Sequence, residues 1–220
     1  MIALISDIHG NFIALKEVLR EIDKLNIKEI YCLGDVSGYY LQINECCDEL
    51  RRRDVKCVLG NHDWHLISGT ISRSKTANIC LEYQRNNITE DNLKWIASFP
   101  VFRKKDDLAM VHGGWINPID EYLIKPSAEY FEALPNRFFA SGHTHKQLSN
   151  KFKSKNYCNP GSIGQPRDGD KRAAFAIFDG KEFELKRVNY DVEEICNLMQ
   201  QAGFNEYHYN RLRYGAEHFV

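Results

Sequence analysis

With 220 residues, 43% of them apolar and 27% charged, the chain is ordinary globular material, able to bury roughly 70–75% of its extended surface. A formal net charge of −1 excludes a global field that would draw it to nucleic acid or an acidic membrane, so an anionic ligand must be attracted locally. No apolar run approaches the ~20 residues of a membrane helix.

The first residues, Met1-Ile2-Ala3-Leu4-Ile5, predict a strand over 1–6 that begins the natural chain, with no basic leader before it. An amphipathic helix is expected over 11–25, with Phe12, Leu15, Val18, Leu19, Ile22 and Leu25 on one face. Strand 28–33 then completes a parallel βαβ unit. A second round runs through a helix near 41–53 to strand 55–59, which ends in Gly60-Asn61-His62. Residues 63–98 read as helices, with Ser74 as a cap, a start at Thr89-Glu90-Asp91-Asn92 and a stop at Phe99-Pro100.

The texture then changes. Val101–Lys104 and Leu108–Val111 flank Lys105-Asp106-Asp107 as a hairpin, and a helix near 126–134 leads to strand 137–141. Strands near 147–152 and 155–158, then 173–179 and 182–188 around Asp179-Gly180, read as antiparallel, and helix returns from Asp191. A parallel first half and a hairpin-rich second half predict an α/β fold: a four-layer α/β/β/α sandwich of two mixed β-sheets flanked by helices, in one domain over 1–220.

The seven cysteines (32, 46, 47, 57, 80, 158 and 196) are odd in number, lie largely in apolar runs and form no Cys-x-x-Cys pair. Buried free thiols in a reducing cytoplasm are expected.

Five strand-like runs each end in polar residues of metal-ligand type: Asp7 with His9, Asp35, Asn61 with His62, His112, and His143 with His145. Strand carboxyl ends are where open α/β sheets build sites. Carboxylate oxygen neutralises cationic charge and imidazole nitrogen suits borderline-soft ions, so the set points to divalent transition metals. Taken singly, each segment has a plainer reading. Asp-x-His is commonly a turn with a capping carboxylate, Gly-Asn-His-Asp an ordinary loop, and His112 the close of a strand. Asp63 is either a partner of His62 or the cap of the next helix, and His65 is structural.

The segments SDIHGN, GDVSG, GNHD, VHGG and GHTH, in this order and followed by Asn159-Pro160-Gly161-Ser162, resemble the motif series of the calcineurin-like metallophosphoesterase superfamily. Within it, the chain is most similar to small bacterial and archaeal phosphodiesterase-type members. The resemblance implies that Asp7, His9 and His145 bind one ion, that Asn61, His112 and His143 bind another, and that Asp35 bridges them. It implies that His62 assists the leaving group while a hydroxide held between ions about 3.5–4 Å apart attacks phosphorus in line. Two divalent ions, two carboxylates and one hydroxide leave a charge of about +1, suited to a phosphodiester monoanion. Manganese or iron is expected first, with zinc, cobalt and nickel compatible.

One departure matters. Protein phosphatases of the superfamily carry Asp-Arg after the second motif, where this chain has Gly38-Tyr39. Without that arginine, diesters are favoured over monoesters. Arg167, Lys171 and Arg172 are either substrate contacts or a solvated loop, and Tyr39, Tyr40, Trp64 and Trp115 either stack on a nucleobase or fill core. The expected partner is a phosphate-ester small molecule, with nucleotides among the candidates. Rival readings are a phosphomonoesterase, a non-catalytic protein-interaction scaffold and a nucleic-acid module resting on Arg51–Arg53 and Lys151–Lys155, which look like ordinary exposed faces.

Overall fold

The computed structural model describes residues 1–216. Strand β1 (Ile2–Ile5), helix α1 (Phe12–Lys24), strand β2 (Glu29–Cys32), helix α2 (Ile43–Arg52) and strand β3 (Lys56–Cys57) form two parallel βαβ rounds. Three helices follow: α3 (Asn61–Ser68), α4 (Lys75–Asn87) and α5 (Glu90–Ala97). Ser74 and Thr89 cap the last two by accepting from the backbone N–H of Ala77 and Asn92, as their sequence positions predict.

Strands β4 (Arg103–Lys105) and β5 (Leu108–Met110) make the expected hairpin, closed by Asp106 in a left-handed conformation. Helix α6 (Ala128–Glu132), β6 (Phe138–Ala140), the antiparallel pair β7 (Leu148–Phe152) and β8 (Lys155–Asn159), the pair β9 (Ala173–Phe178) and β10 (Phe183–Val188), and helix α7 (Val192–Gln201) complete the order. Two short 3-10 turns, Glu206–His208 and Asn210–Arg213, follow α7.

The strands form two five-stranded mixed sheets, β10-β9-β1-β2-β3 and β4-β5-β6-β8-β7. Side-chain alternation explains how they stack. On the first sheet Ile2, Leu4, Tyr31 and Leu33 meet Leu108, Met110, Phe138 and Ala140 of the second. The intervening Ala3, Ile5, Ile30 and Cys32 turn outward onto α1 and α2. Beyond the second sheet the covering layer is thin: Phe131 of α6 with Leu123 and Trp115 packs on Ala109, Phe139 and Tyr157.

Three details differ from the sequence reading. Hairpin β9–β10 returns to the first sheet, where β9 pairs antiparallel with β1, and β6 lies parallel between β5 and β8. Every β9 residue is buried, so its run carries no alternation to choose a partner. Finally, Asn61 and His62 are the first turn of α3 and not part of a loop, because Gly60 supplies the extended cap residue.

Most of the cations in the two clusters have partners within the chain. Arg52 and Arg53 pair with Glu49, Arg53 also with Asp23, Lys151 with Glu182, and Lys155 donates to the carbonyls of Leu134 and Asn136. All seven cysteines are free and buried. No helix of the described residues is long and apolar enough to cross a membrane.

Candidate metal centre

Strands β1, β2, β3, β5 and β6 deliver the five segments to one edge, the carboxyl ends of both sheets. Asp7, His9, Asp35, His143 and His145 all take left-handed backbone conformations, with φ between 53° and 66°. A non-glycine residue held there costs about 1–3 kcal/mol, and Asp and His tolerate it better than most. The strain is held by hydrogen bonds between loops. Asp7 and His9 donate N–H groups to the carbonyls of Gly34 and Asp35, and Gly142 donates to His112.

Gly38 shows how tightly the loops meet. At φ 144° its missing Cβ would lie 2.1 Å from His9 Nδ1. The NPGS segment also braces them. Asn159 Nδ2 donates to the Gly142 carbonyl and the Thr144 hydroxyl, while Ser162 Oγ donates to the Asp7 carbonyl at 2.7 Å.

All the expected ligands converge and are buried. In one group His145 Nε2 lies 3.3 Å from Asp7 Oδ1 and 3.0 Å from His9 Nε2. In the other, His112 Nε2 lies 3.0 Å from Asn61 Oδ1, 3.1 Å from His143 Nδ1 and 3.4 Å from Asp35 Oδ2. Asp35 Oδ2 is also 3.9 Å from His9 Nε2, so the carboxylate stands between the groups.

The donor set suits cations. The Nδ1 atoms of His9, His112 and His145 sit 2.8, 2.7 and 2.6 Å from the carbonyls of Ser37, Leu33 and Gln165. A carbonyl only accepts, so each Nδ1 carries the proton and each Nε2 of a neutral ring presents a lone pair. Two lone pairs 3.0 Å apart, as at His9 and His145, repel unless a proton or cation lies between them. The carboxylates tell the same story. Asp7 Oδ2 accepts from Ser6 Oγ and His143 N, and Asp35 Oδ1 from His62 N, yet Asp7 Oδ1 and Asp35 Oδ2 are buried without a partner. Buried oxygens of that kind are expensive unless a cation meets them.

The electrostatics follow from this crowding. Burial pushes Asp35 up to about 7 against the opposing pull of His112. Burial works to lower His112, but the Asp35 carboxylate holds it up at about 10, so without a cation a proton on Nε2 stands where a metal would displace it. Burial works to raise Asp7, but His145, His112 and His9 together outweigh it and hold the carboxyl well below the usual range. Burial, then the neighbouring imidazoles, keep His9 and His62 well below the ordinary histidine value and bring His143 down to about 2.

His62 sits at the open side. Its Nε2 is 4.0 Å from Asp35 Oδ2, its Nδ1 has no partner, and its ring lies edge-on to His9 at 4.9 Å. Asp63, for which two readings stood open, is placed in the cap of α3. Its Oδ2 accepts from Asp35 N and Gly60 N, and its Oδ1 from Ser37 N and Ser37 Oγ. Both oxygens are engaged by these donors, which favours the cap reading of Asp63 over a partner role to His62. His65 bonds the Thr70 hydroxyl, and its ring stands edge-on to His62 at 6.4 Å on the rim of the cleft.

Arg167 donates to Gln165 Oε1 at 2.7 Å and to the Tyr39 hydroxyl at 3.2 Å, and its backbone N–H to the His145 carbonyl. Burial first, then this guanidinium, keep His145 below its ordinary value, which places Arg167 within electrostatic reach of the ligands. Arg172 pairs with Asp170. Of the four aromatics singled out, only Tyr39 lines the clefts beside the cluster. Tyr40 is fully buried, Trp115 packs on Phe131 and Phe139, and Trp64 is exposed.

Sequence reasoning missed Gln84, whose amide accepts from Gly38 N and donates to the Tyr40 carbonyl. It also missed Tyr122, with its ring 3.9 Å from that of His143, and Asp120, which reaches His143 Nε2 at 3.7 Å and pairs with Arg73. No local pattern marks any of them.

Two mixed sheets packed face to face, with Asp/His groups that could hold metal on the loops at their shared carboxyl edge, are the arrangement of a metallophosphoesterase domain. A model of the calcineurin-like phosphoesterase superfamily domain matches residues 1–182, and the chain belongs to that superfamily. An uncharacterized protein of Methanocaldococcus jannaschii is 34% identical over 88% of this chain and 89% of its own length. The structure of a metallophosphoesterase from Sphaerobacter thermophilus matches with a TM-score of 0.86 at 30% identity, covering 98% of each chain. A symmetrical bis(5'-nucleosyl)-tetraphosphatase of Psychromonas ingrahamii is 26% identical over 79% of this chain and 63% of that protein.

Proposed function

We propose that the chain is a phosphodiesterase dependent on two divalent transition-metal ions, manganese or iron first, with zinc, cobalt or nickel compatible. Asp7, His9 and His145 would hold one ion, Asn61, His112 and His143 the other, and Asp35 would touch both. The observation that carries this reading is the pair of buried, partnerless oxygens, Asp7 Oδ1 and Asp35 Oδ2, aimed at imidazole Nε2 atoms whose Nδ1 protons are all engaged elsewhere.

Bound there, the ions supply Lewis acidity toward the phosphoryl oxygens and lower the pKa of water. The chain does the rest. Asp7 and Asp35 remove two of four positive charges, and neutral Asn61 preserves the excess that favours an anionic ester. His62, held at the open side by its N–H to Asp35 Oδ1, assists the departing oxygen. Arg167, fixed by Gln165 and Tyr39, grips a non-bridging phosphate oxygen from the cleft side.

With tyrosine at position 39, one nearby guanidinium suits a monoanionic diester better than a monoester dianion. Arg167 itself is the observation that favours the second reading, a phosphomonoesterase. The free buried thiols fit a cytoplasmic protein, folded as one domain.

The test is turnover of bis(p-nitrophenyl) phosphate against p-nitrophenyl phosphate with manganese, in the wild type and in His62→Ala. The expected result is a higher kcat/KM on the diester, abolition by chelator, and a loss of about 10²–10⁴ in kcat for the variant. No turnover by protein with confirmed bound metal refutes the reading, and a monoester preference refutes the diester assignment.

A further inference from the structure

Beside the cluster, a cavity of about 440 Å³ is lined by Tyr39, Lys75, Tyr122, Arg167, Tyr207 and Arg211, together with Ser74 and Thr76. Among the described residues it carries three cations and no carboxylate. Elsewhere the arginines are commonly neutralised: Arg20, Arg53, Arg172, Arg187 and Arg213 each pair with an acid. Among the described residues no ion pair engages Lys75, Arg167 or Arg211, and Arg211 Nε is buried without a hydrogen-bond partner. In a chain of net charge −1, this concentration of unpaired positive charge around one cavity is a local anion trap.

The cavity is continuous with the chemistry. Tyr39 lies 4.8 Å from the His9 ring and 4.9 Å from the His62 ring, and the Arg167 guanidinium stacks over Tyr39 at 5.6 Å. Its far wall comes from the 3-10 turns, where the Arg211 guanidinium lies 5.9 Å from the Tyr207 ring centre. These turns follow residue 182, where the match to the superfamily domain ends. Its volume falls within the roughly 300–1,000 Å³ of small-molecule sites.

We infer that this cavity is a second phosphate subsite, taking a leaving group that carries a phosphate of its own on a planar ring system, as a nucleotide does. The inference rests on the phosphoesterase reading for the adjoining site. Arg167 stands at the junction, Lys75 and Arg211 meet the distal phosphate, and Tyr39 and Tyr122 offer ring faces to the remainder.

The test is calorimetric binding of ADP and of adenosine to the manganese-loaded protein and to the chelated protein, for wild type, Arg211→Gln and Lys75→Gln, with Arg20→Gln as a remote control. Both cavity variants are expected to weaken ADP binding about tenfold with and without metal, while Arg20→Gln stays near wild type. Lys75 is exposed at the start of α4, so its variant decides the matter where Arg211→Gln fails to fold. ADP binding unchanged in Lys75→Gln and in folded Arg211→Gln, or adenosine binding as tightly as ADP, overturns the subsite. Wild-type protein that hydrolyses no diester yet binds ADP through Arg211 and Lys75 supports the subsite and overturns the hydrolase reading instead.

Discussion

Replacing Asp63 with alanine tests whether the centre is held by its scaffold independently of metal. The carboxylate is fully buried and accepts from three backbone N–H groups, those of Asp35, Ser37 and Gly60, as well as from the Ser37 hydroxyl. The hydroxyl can turn to another acceptor, but the three amides cannot. A buried donor stripped of its partner costs about 1–3 kcal/mol, giving roughly 3–9 kcal/mol for three before relaxation. Water entering the vacated space recovers part of this, and a net loss of about 3 kcal/mol is expected. For a chain of this length that corresponds to a fall in Tm of about 6–12 °C. The assay is thermal unfolding in chelator, so that lost metal contributes nothing, followed by manganese titration of the folded variant. Because the Asp35 turn is anchored by these bonds, affinity should fall as well. A Tm within about 2 °C of wild type, with unchanged metal affinity, would refute the argument.

Three further outcomes are expected. Asp35→Asn should abolish activity more completely than Asn61→Ala, because Asp35 stands between both ligand groups; equal residual rates at saturating manganese contradict this. Gly38→Ala drives a methyl group into His9 and should weaken binding of one ion of two, read as biphasic manganese titration; a single unchanged phase contradicts it. Asp170 is held down to about 2, chiefly by hydrogen bonding to Arg172. A carboxyl depressed on folding adds stability above its unfolded value near 3.9, and the gain disappears as pH falls toward the folded value. Both side chains are partly exposed, so the contribution is small. The Tm difference between wild type and Asp170→Asn should therefore close between about pH 4 and 2; a difference that persists or widens below pH 2 contradicts the pairing.

The convergence of the candidate ligands was legible because each lies within a few residues of a strand end, so local apolar runs and the short polar segments after them carry the signal. Asp7 and Asp35 are also residue types that tolerate the left-handed backbone their turns demand. Capping by Ser74 and Thr89 was legible for the same local reason. What escaped depends on contacts distant in sequence. Gln84 reaches Gly38 across 46 positions, an interaction no helical pattern on α4 announces. The return of β9 to β1 was hidden because a strand buried on both faces has no period to read. Asp63 supported two readings until its four donors were identified. Tyr122 and Asp120 lie in the loop between β5 and α6, where only the folded chain brings them to His143.

Anomalous diffraction from crystals of the chain soaked in manganese is the most direct test of the central claim. Two peaks are predicted, one among Asp7, His9 and His145 and one among Asn61, His112 and His143, with Asp35 contacting both. An empty cluster, a single peak that saturates alone, or ions bound elsewhere would contradict the account.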